Sequence, residues 1–292
     1  MIVQIYEVQT PDAAMSMAAL GVDHIGSVVA SVDTWQQPLI RQTLRAVTAA
    51  GARSSLILLY NDMDLVLRSI DYYRPDIIHF CEMLVAGKNH SATEKACAPH
   101  IELQAAVKKR FPEIAIMRSV PIPAAVNEGA PIGMAGSDRI NVKKGNGGIK
   151  NDETKCGNKT LETNVTKAAA EVTTLARLFA PISDYFLTDT LLIGRNGALS
   201  QPVEGFVGIT GKTCDWNIAA ELVRISPIPV ILAGGLSPEN VYAGIQSVDP
   251  AGVDTCTLTN AVDETGQPIR FIKDEQKVRR FVAEARRIKQ SL

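Results

Sequence analysis

The chain has 292 residues, of which 46% are hydrophobic and 21% are charged, and its formal net charge is −1 at pH 7. A chain of this length buries a sizeable core, and its balanced charge excludes the basic surface that binds nucleic acid or an acidic membrane. No apolar run approaches the roughly 18 residues of a membrane span, and the five cysteines have no metal-binding spacing. Because Met1 leads directly into a strand pattern without a signal segment, we expect a cytoplasmic protein.

Strand-like and helix-like segments alternate along almost the whole chain. The predicted strands cover residues 2–8, 24–30, 55–60, 76–80, 114–120, 185–188, 230–233 and 253–255. The predicted helices that follow them cover residues 13–20, 39–50, 63–72, 93–111, 167–179, 217–225, 238–246 and 273–290. Continuously apolar strands indicate a parallel sheet buried on both faces. Eight βα units therefore predict a closed (β/α)8 TIM barrel, with an open doubly wound sheet as the alternative.

A long segment rich in Gly, Lys, Asn and Thr separates the fifth strand from the fifth helix, over residues 121–166. A stretch that buries so little apolar surface is typical of flexible chain. Loops that follow strands lie on the catalytic face of a barrel, so this one is either a lid over the site or a tolerated surface insertion. We predict a single barrel domain over residues 1–292 with a flexible insertion at 121–166 on the catalytic face.

Three strand ends in the last third of the chain carry the strongest functional signal. The strand at residues 230–233 ends in Gly234 and Gly235, and a Ser-Pro-Glu helix start follows. Backbone without side chains at a strand end, beside a helix N-terminus, is typical of a phosphate-binding site. Segments 208–216 and 252–255 form similar junctions on either side of it. The last quarter of a barrel is therefore predicted to bind phosphate.

The order and composition of these segments resemble the phosphoribosylanthranilate isomerase family of tryptophan biosynthesis. Residues 208–216 match Gly-Gly-Thr-Gly-Lys-Thr-Phe-Asp-Trp, residues 233–241 match almost letter for letter, and residues 4–9 align with Lys-Ile-Cys-Gly-Ile-Thr. The resemblance implies a (β/α)8 barrel. It also implies an aldose–ketose isomerase that performs an Amadori rearrangement by general acid and general base catalysis, without a metal or an organic cofactor.

The resemblance also implies roles for individual residues. Asp189 corresponds to the Asp that ends the sixth strand and acts as the general acid, and Gly211, Gly234 and Gly235 correspond to phosphate-binding positions. Tyr6 occupies the position of the family's catalytic Cys, which is the general base. Since a phenol titrates near 10 and a thiol near 8.5, Tyr6 is the poorer base at neutral pH.

Two other residues are candidates for the displaced base. Cys81, at the end of the fourth strand, could supply a thiolate, although free cysteines are more often small buried hydrophobes. Glu7 could act if the first strand slips by one residue. His79 shares the inward pattern of Cys81 and, with Gln4, is a candidate for lining the substrate, while a histidine packed in the core is the other interpretation.

Two further positions depart from the family pattern. The family has a Ser-Pro-Arg after the second strand whose Arg holds the anthranilate end, but residues 32–36 contain no Arg, and Trp35 either stacks on a ring or anchors the helix start. After the eighth strand a family glycine is missing from residues 256–260, where the hydroxyls of Thr257 and Thr259 compensate in part.

These departures leave two alternatives to the isomerase. One is an enzyme on the same scaffold that acts on a different phosphorylated metabolite, and the other is a phosphometabolite-binding protein without catalytic activity. All three hypotheses share a small phosphorylated partner, and no sequence pattern indicates an oligomeric state.

Overall fold

The computed structural model describes residues 1–87, 89–125, 154–193 and 200–287, with side chains throughout these ranges except at residues 154–165. Eight parallel strands close into a barrel in the order β1 to β8, which confirms the predicted (β/α)8 TIM barrel. The first half comprises β1 Ile2–Ile5, α1 Pro11–Ala19, β2 His24–Val29, α2 Pro38–Ala49, β3 Arg53–Leu58, α3 Met63–Tyr73, β4 Ile77–Phe80 and α4 His90–Arg110. The second comprises β5 Ala115–Pro123, α5 Thr154–Phe179, β6 Tyr185–Leu191, α6 Trp216–Ile225, β7 Val230–Leu232, α7 Val241–Val248 and β8 Gly252–Thr255.

A two-stranded hairpin separates β8 from the last helix and was not predicted from the sequence. Its strands are β9 Asn260–Val262 and β10 Pro268–Lys273, which pair antiparallel, and α8 Glu275–Ala285 follows. The predicted start of the final helix at residue 273 was two residues early. Asp274 is the helix cap, and its carboxylate accepts hydrogen bonds from the backbone N–H groups of Gln276 and Lys277. Residues 288–290 of that predicted helix lie outside the described ranges.

The predicted insertion at 121–166 overlaps regular structure at both ends. Strand β5 continues to Pro123 and helix α5 already begins at Thr154. Seven paired positions join β5 to β6, from Met117 opposite Tyr185 to Pro123 opposite Leu191. Residues 126–153 lie outside the described residues, so the lid and surface interpretations stay predictions.

The interior of the barrel is filled by side chains from alternate strand positions, as a two-residue period requires. Its apolar members form one buried cluster: Tyr6, Ile77, Met117, Leu187, Ile231 and Ala233. The opposite faces of the strands pack against the surrounding helices, and side chains such as Phe186 are completely buried there. No helix within the described ranges has the length and apolar character needed to cross a membrane. The packed interior leaves the carboxyl ends of the strands as the place for a site.

Candidate active site

Two adjoining cavities lie at the carboxyl ends of the strands. The first is lined by the carboxyl ends of β6 and β8 and by the loops after β6, β7 and β8. The second is lined by residues at or near the ends of β1, β2, β3, β4, β6 and β8 and by part of the β6–α6 loop. We call them the glycine cavity and the apolar cavity. They share Asp189, Gly208, Ile209, Asp254 and Cys256, so a ligand with two unlike ends can span both with its middle beside the two carboxyl groups.

The glycine cavity brings together all four residues predicted to bind phosphate: Gly211, Gly234, Gly235 and Thr257. Gly234 has a φ of 95° and Gly235 a φ of 61°, conformations that side chains disfavour. A Cβ on Gly235 would lie 2.5 Å from the backbone carbon of Lys212, so the loop after β7 packs directly on the loop after β6. The close approach leaves a wall of bare backbone, which suits a phosphate group.

The apolar cavity has hydrophobic walls and a cover supplied by the loop between β6 and α6. Val28, Ile57 and Leu187 contribute to its walls, and Phe206 comes from the loop. That loop crosses the barrel mouth to the end of β4, where the N–H of Val207 donates to the carbonyl of Cys81 at 2.9 Å. A cavity of this composition fits an aromatic or aliphatic group better than a phosphate.

Asp189 lies where the two cavities meet. Its Oδ2 accepts a hydrogen bond from Ser119 Oγ at 2.5 Å, and a Cβ on Gly208 would stand only 2.8 Å from its Oδ1. Burial raises the pKa of Asp189 to about 8, an effect that the Ser119 hydrogen bond reduces and the charge of Asp254 increases. The carboxyl group therefore carries a proton at neutral pH and can act as a general acid.

Asp254 is a second acidic residue of the site that the sequence analysis did not single out. Burial raises its pKa to about 7, against the lowering effects of a hydrogen bond from Gln4 and of the Lys273 charge. Its Oδ1 is buried and has no hydrogen-bond partner within the described ranges. The signal was present in the sequence, because Asp254 holds an inward-facing position near the end of a barrel strand, where functional groups collect.

A chain of hydrogen bonds crosses the barrel from Tyr6 to Asp189. The Tyr6 hydroxyl lies 2.7 Å from Ser55 Oγ and 2.8 Å from His79 Nδ1, and His79 Nε2 lies 2.8 Å from Ser119 Oγ. Because Ser119 donates to Asp189, it accepts from His79 Nε2–H, and His79 Nδ1 then accepts from Tyr6. Burial, helped by the Arg118 charge, lowers the pKa of His79 to about 3, so the imidazole stays neutral and orients the acid.

A sequence model described as N-(5'phosphoribosyl)anthranilate (PRA) isomerase matches residues 159–284, the part that supplies Asp189 and the glycine cavity. Over these residues the chain is similar to the phosphoribosylanthranilate isomerase family. The N-(5'-phosphoribosyl)anthranilate isomerase of Haloferax volcanii is 39% identical over 111 residues, which are 38% of this chain and 42% of that protein. The chain spans 34% to 43% of the length of the curated relatives that it matches.

Solved structures extend the likeness to the whole barrel. Phosphoribosylanthranilate isomerase from Thermotoga maritima has a TM-score of 0.56 and 16% identity, and covers 98% of both chains. The enzyme from Pyrococcus furiosus has a TM-score of 0.53 and 18% identity, with the same coverage. At this identity the likeness shows the barrel fold alone.

The side chains at the family's base position and at the end of β4 are poor bases here. Burial raises the pKa of Tyr6 well above its ordinary value, and the phenol is held between Ser55 and His79. Burial also raises the thiol pKa of Cys81, and the charges of Glu82 and Asp189 add to this. Both groups line the apolar cavity and keep their protons at neutral pH, which argues against the catalytic roles that we expected for Tyr6 and Cys81.

Tyr6 fills space that a smaller residue would leave to a ligand. A Cβ on Gly26 would lie 2.0 Å from the Tyr6 ring, so the ring lies flat over this glycine of β2. The pair shows that the interior has been shaped around the larger side chain.

Two predicted positions lie away from the cavities. Gln4 is completely buried and lines neither cavity; its Oε1 lies 3.1 Å from His24 Nδ1, and its side chain hydrogen-bonds to Asp254, which lines both. Direct contact between Gln4 and a substrate stays a prediction. Trp35 meets Tyr72 edge to face at 5.9 Å and lines neither cavity, which favours the role of helix anchor. His79 lines the apolar cavity, and its contact with a substrate stays a prediction. Within the described ranges no cluster of His, Cys, Asp and Glu has the form of a metal site.

Proposed function

We propose that this protein is an aldose–ketose isomerase that performs an Amadori rearrangement on a phosphorylated aminosugar, with phosphoribosylanthranilate as the substrate. The observation that carries the proposal is the position of Asp189, a carboxyl group with a pKa of about 8 at the junction of the two cavities. The family match over residues 159–284, which contain this residue, supports the same reaction.

The two cavities fit the two ends of this substrate. The phosphate binds against the bare backbone of Gly211, Gly234 and Gly235, and the aromatic ring enters the apolar cavity below Phe206. Binding both ends holds the ribose beside Asp189, so that remote binding energy positions the reacting carbons.

Asp189 supplies the first proton of the reaction. Its protonated carboxyl group donates to the ribose ring oxygen while the bond between that oxygen and C1 breaks and the amine nitrogen forms an iminium with C1. Ser119 and the neutral His79 orient the carboxyl group through the hydrogen-bond chain. The reaction consists of proton transfers, so the proposed chemistry requires no metal or organic cofactor.

A binding protein without turnover is the second candidate, and the protonated phenol of Tyr6 favours it. The family's base position carries a group that cannot accept a proton near pH 7. Such a protein would bind the phosphorylated metabolite in the glycine cavity but would not rearrange it. An enzyme for a different phosphorylated metabolite remains a further alternative.

Turnover of freshly generated phosphoribosylanthranilate, followed by fluorescence, tests the proposal. We expect turnover by the purified protein and a loss of about 10²–10⁴-fold in Asp189→Asn, the usual range for a general acid. Asp64→Asn is the control, because Asp64 is exposed on α3, where it pairs with Arg68. Binding of inorganic phosphate, measured by calorimetry, should survive in Asp189→Asn. Absence of wild-type turnover, together with phosphate binding, would select the binding protein.

The expected cytoplasmic location and the single domain over residues 1–292 stay predictions.

A further inference from the structure

The residue that follows Tyr6 breaks the alternation of the first strand. A continued strand would turn Glu7 toward the helices, because neighbouring side chains point to opposite faces. Glu7 instead has a left-handed backbone with a φ of 65°, and the residue lines the apolar cavity together with Tyr6 and Asp189. Non-glycine residues adopt this conformation at a cost, and such positions cluster at functional sites.

The two oxygens of the Glu7 carboxylate have different surroundings. Oε1 accepts a hydrogen bond from Arg270 Nε at 2.8 Å and a second one from Nη2. Oε2 is buried and accepts no hydrogen bond from a protein group within the described ranges. The thiol of the neighbouring Cys256 is a weak donor at most. An unsatisfied buried carboxylate oxygen is costly, and a ligand atom that gives it a proton removes that cost.

Arg270 belongs to the hairpin that was not predicted. Its side chain is 48% exposed, whereas that of Glu7 is 1% exposed, so the guanidinium covers the carboxylate from the solvent side. Lys273 fixes the base of the hairpin, since its Nζ donates to the Cys256 carbonyl at 2.9 Å and to Asn260 Oδ1 at 2.6 Å. Because arginine stays charged throughout the working pH range, the pair holds Oε1 of Glu7 and leaves Oε2 without a protein partner within the described ranges.

Most of the remaining titratable groups of the apolar cavity are unsuited to accept a proton. Asp189 already carries one as the general acid, whereas Asp254, with a pKa that burial raises to about 7 and an unpartnered Oδ1, is the rival of Glu7 for the role of base among the described residues. Both nitrogens of His79 are hydrogen-bonded within the barrel. Burial keeps the phenol and the two thiols protonated, namely Tyr6, Cys81 and Cys256. Glu7 is the one titratable lining residue of this cavity, among those described, that is paired with an arginine.

We propose that Glu7 is the general base of the isomerisation and that Arg270 is its positioning residue. The inference rests on the proposed function and names the base that this reaction requires. Glu7 Oε2 removes the proton from C2 of the iminium, the C–H electron pair forms the C1–C2 double bond, and the C1–N π pair returns to nitrogen. The enolamine then takes a proton at C1 from Glu7 and releases its C2 hydroxyl proton to Asp189. These transfers yield the aminoketose and restore both carboxyl groups.

Substitution of Glu7 tests the assignment in the full-length protein. We expect Glu7→Gln to lower kcat by about 10²–10⁴-fold while the affinity for inorganic phosphate stays unchanged. Glu7→Asp should restore part of the lost kcat, since it keeps a carboxylate that is one methylene shorter. Glu264→Gln is the matched control, because Glu264 is an exposed residue of the same hairpin. Chemical unfolding of each variant separates loss of folding from loss of catalysis.

Two further measurements separate catalysis from a purely structural ion pair. Arg270→Met should lower kcat by about tenfold and move the acidic limb of the pH–rate profile to higher pH, because a carboxylate that loses its cation holds a proton more tightly. Substrate deuterated at C2 should show a larger isotope effect on kcat with Glu7→Asp than with the wild type. A hairpin anchor would change the unfolding midpoint and leave both quantities as they are.

The outcomes distinguish the two proposals. Wild-type turnover with a Glu7→Gln variant that stays within about threefold of it would overturn the role of Glu7 and leave the isomerase intact. Absence of wild-type turnover would overturn both. If Glu7→Gln fails to fold, Glu7→Asp provides the test. An unchanged kcat and an unchanged isotope effect in that variant would reject the role of Glu7 as the base.

Discussion

The glycine cavity and the β1 side of the barrel mouth resemble the phosphoribosylanthranilate isomerase pattern to very different degrees. On the glycine side, Gly211, Gly234 and Gly235 all lie where the sequence pattern placed them. On the β1 side, Tyr6 aligns with the base of the isomerase family, residues 32–36 contain no arginine, and Glu7 forms an ion pair with Arg270. The family model matches residues 159–284, which include the first region and exclude Glu7 and Tyr6.

The difference follows from whether backbone atoms or side-chain atoms form each part of the proposed site. The proposed phosphate site is made of backbone, and a Cβ on Gly235 would collide with the backbone of Lys212, so a side chain at this position is disfavoured. A general base is a side chain, and a carboxylate from a neighbouring position can replace a thiol once a backbone turn directs it into the cavity. A neighbouring residue of the same strand can therefore supply a catalytic side chain, whereas a phosphate site built from backbone atoms keeps its position.

The largest expected effect concerns Asp189, where the two sides meet. Its pKa of about 8 lies above the ordinary 3.8, so the native state keeps a proton that the unfolded chain loses, and the free energy of unfolding falls as pH rises from 4 to 8. Asp189→Asn removes this contribution. Between pH 5 and pH 8 the variant should gain up to about 4 kcal/mol relative to the wild type, at about 1.4 kcal/mol per pH unit. Urea unfolding at the two pH values measures it, and parallel pH dependences would contradict the burial of a protonated carboxyl group.

The next effect tests whether the β1 side has been rebuilt around Tyr6. Gly26→Ala places a methyl group 2.0 Å from the Tyr6 ring, and we expect it to lower the free energy of unfolding by about 3 kcal/mol. In a Tyr6→Ala background the ring is gone, so adding Gly26→Ala should cost less than about 0.5 kcal/mol. Denaturant unfolding of the two single variants and the double variant measures the coupling. Strictly additive effects would show that the two residues do not shape one another.

A third prediction tests the bare backbone on the glycine side. Gly235→Ala combines a left-handed φ of 61° with a backbone collision, and we expect it to cost about 2 kcal/mol of stability and to weaken inorganic phosphate binding at least about tenfold. Gly266→Ala is the matched control, since its φ is 81° and a Cβ there would meet no atom within 4 Å among the described residues. Calorimetry with phosphate compares the two. An equal loss of phosphate affinity in the two variants would show that Gly235 matters no more for phosphate binding than a glycine in a distant turn.

The smallest expected effect concerns Asp254, which lines both cavities. The Asp254 charge raises the pKa of Asp189, so Asp254→Asn should move the alkaline limb of kcat/KM to lower pH by about one unit or less. Asp64→Asn, on the exposed face of α3, should leave the limb where it is. A shift to higher pH would mean that Asp254 does not act on Asp189 through its charge.

Much of the glycine cavity could be predicted because short stretches of sequence specify it. The two glycines that end β7 and the motif at residues 208–216 are readable as short patterns, and Asp189 follows from its place at the end of a strand. The Tyr6 substitution was also visible, and it raised the question of where the base had gone. The burial of Gln4 was missed, because a polar residue in a strand gives no indication of which layer of a barrel it occupies.

The sequence by itself determined the βα order, the barrel, and the strand ends that carry glycines, because periodicity and backbone freedom are properties of short segments. Only the tertiary structure decided that Gly26 accommodates Tyr6, that burial keeps Asp189 protonated, and that Arg270 pairs with Glu7. Glu7 and Arg270 are 263 residues apart along the chain. Their contact exists because closure of the barrel brings β8 beside β1, and contacts of this kind leave no pattern in a local stretch of residues.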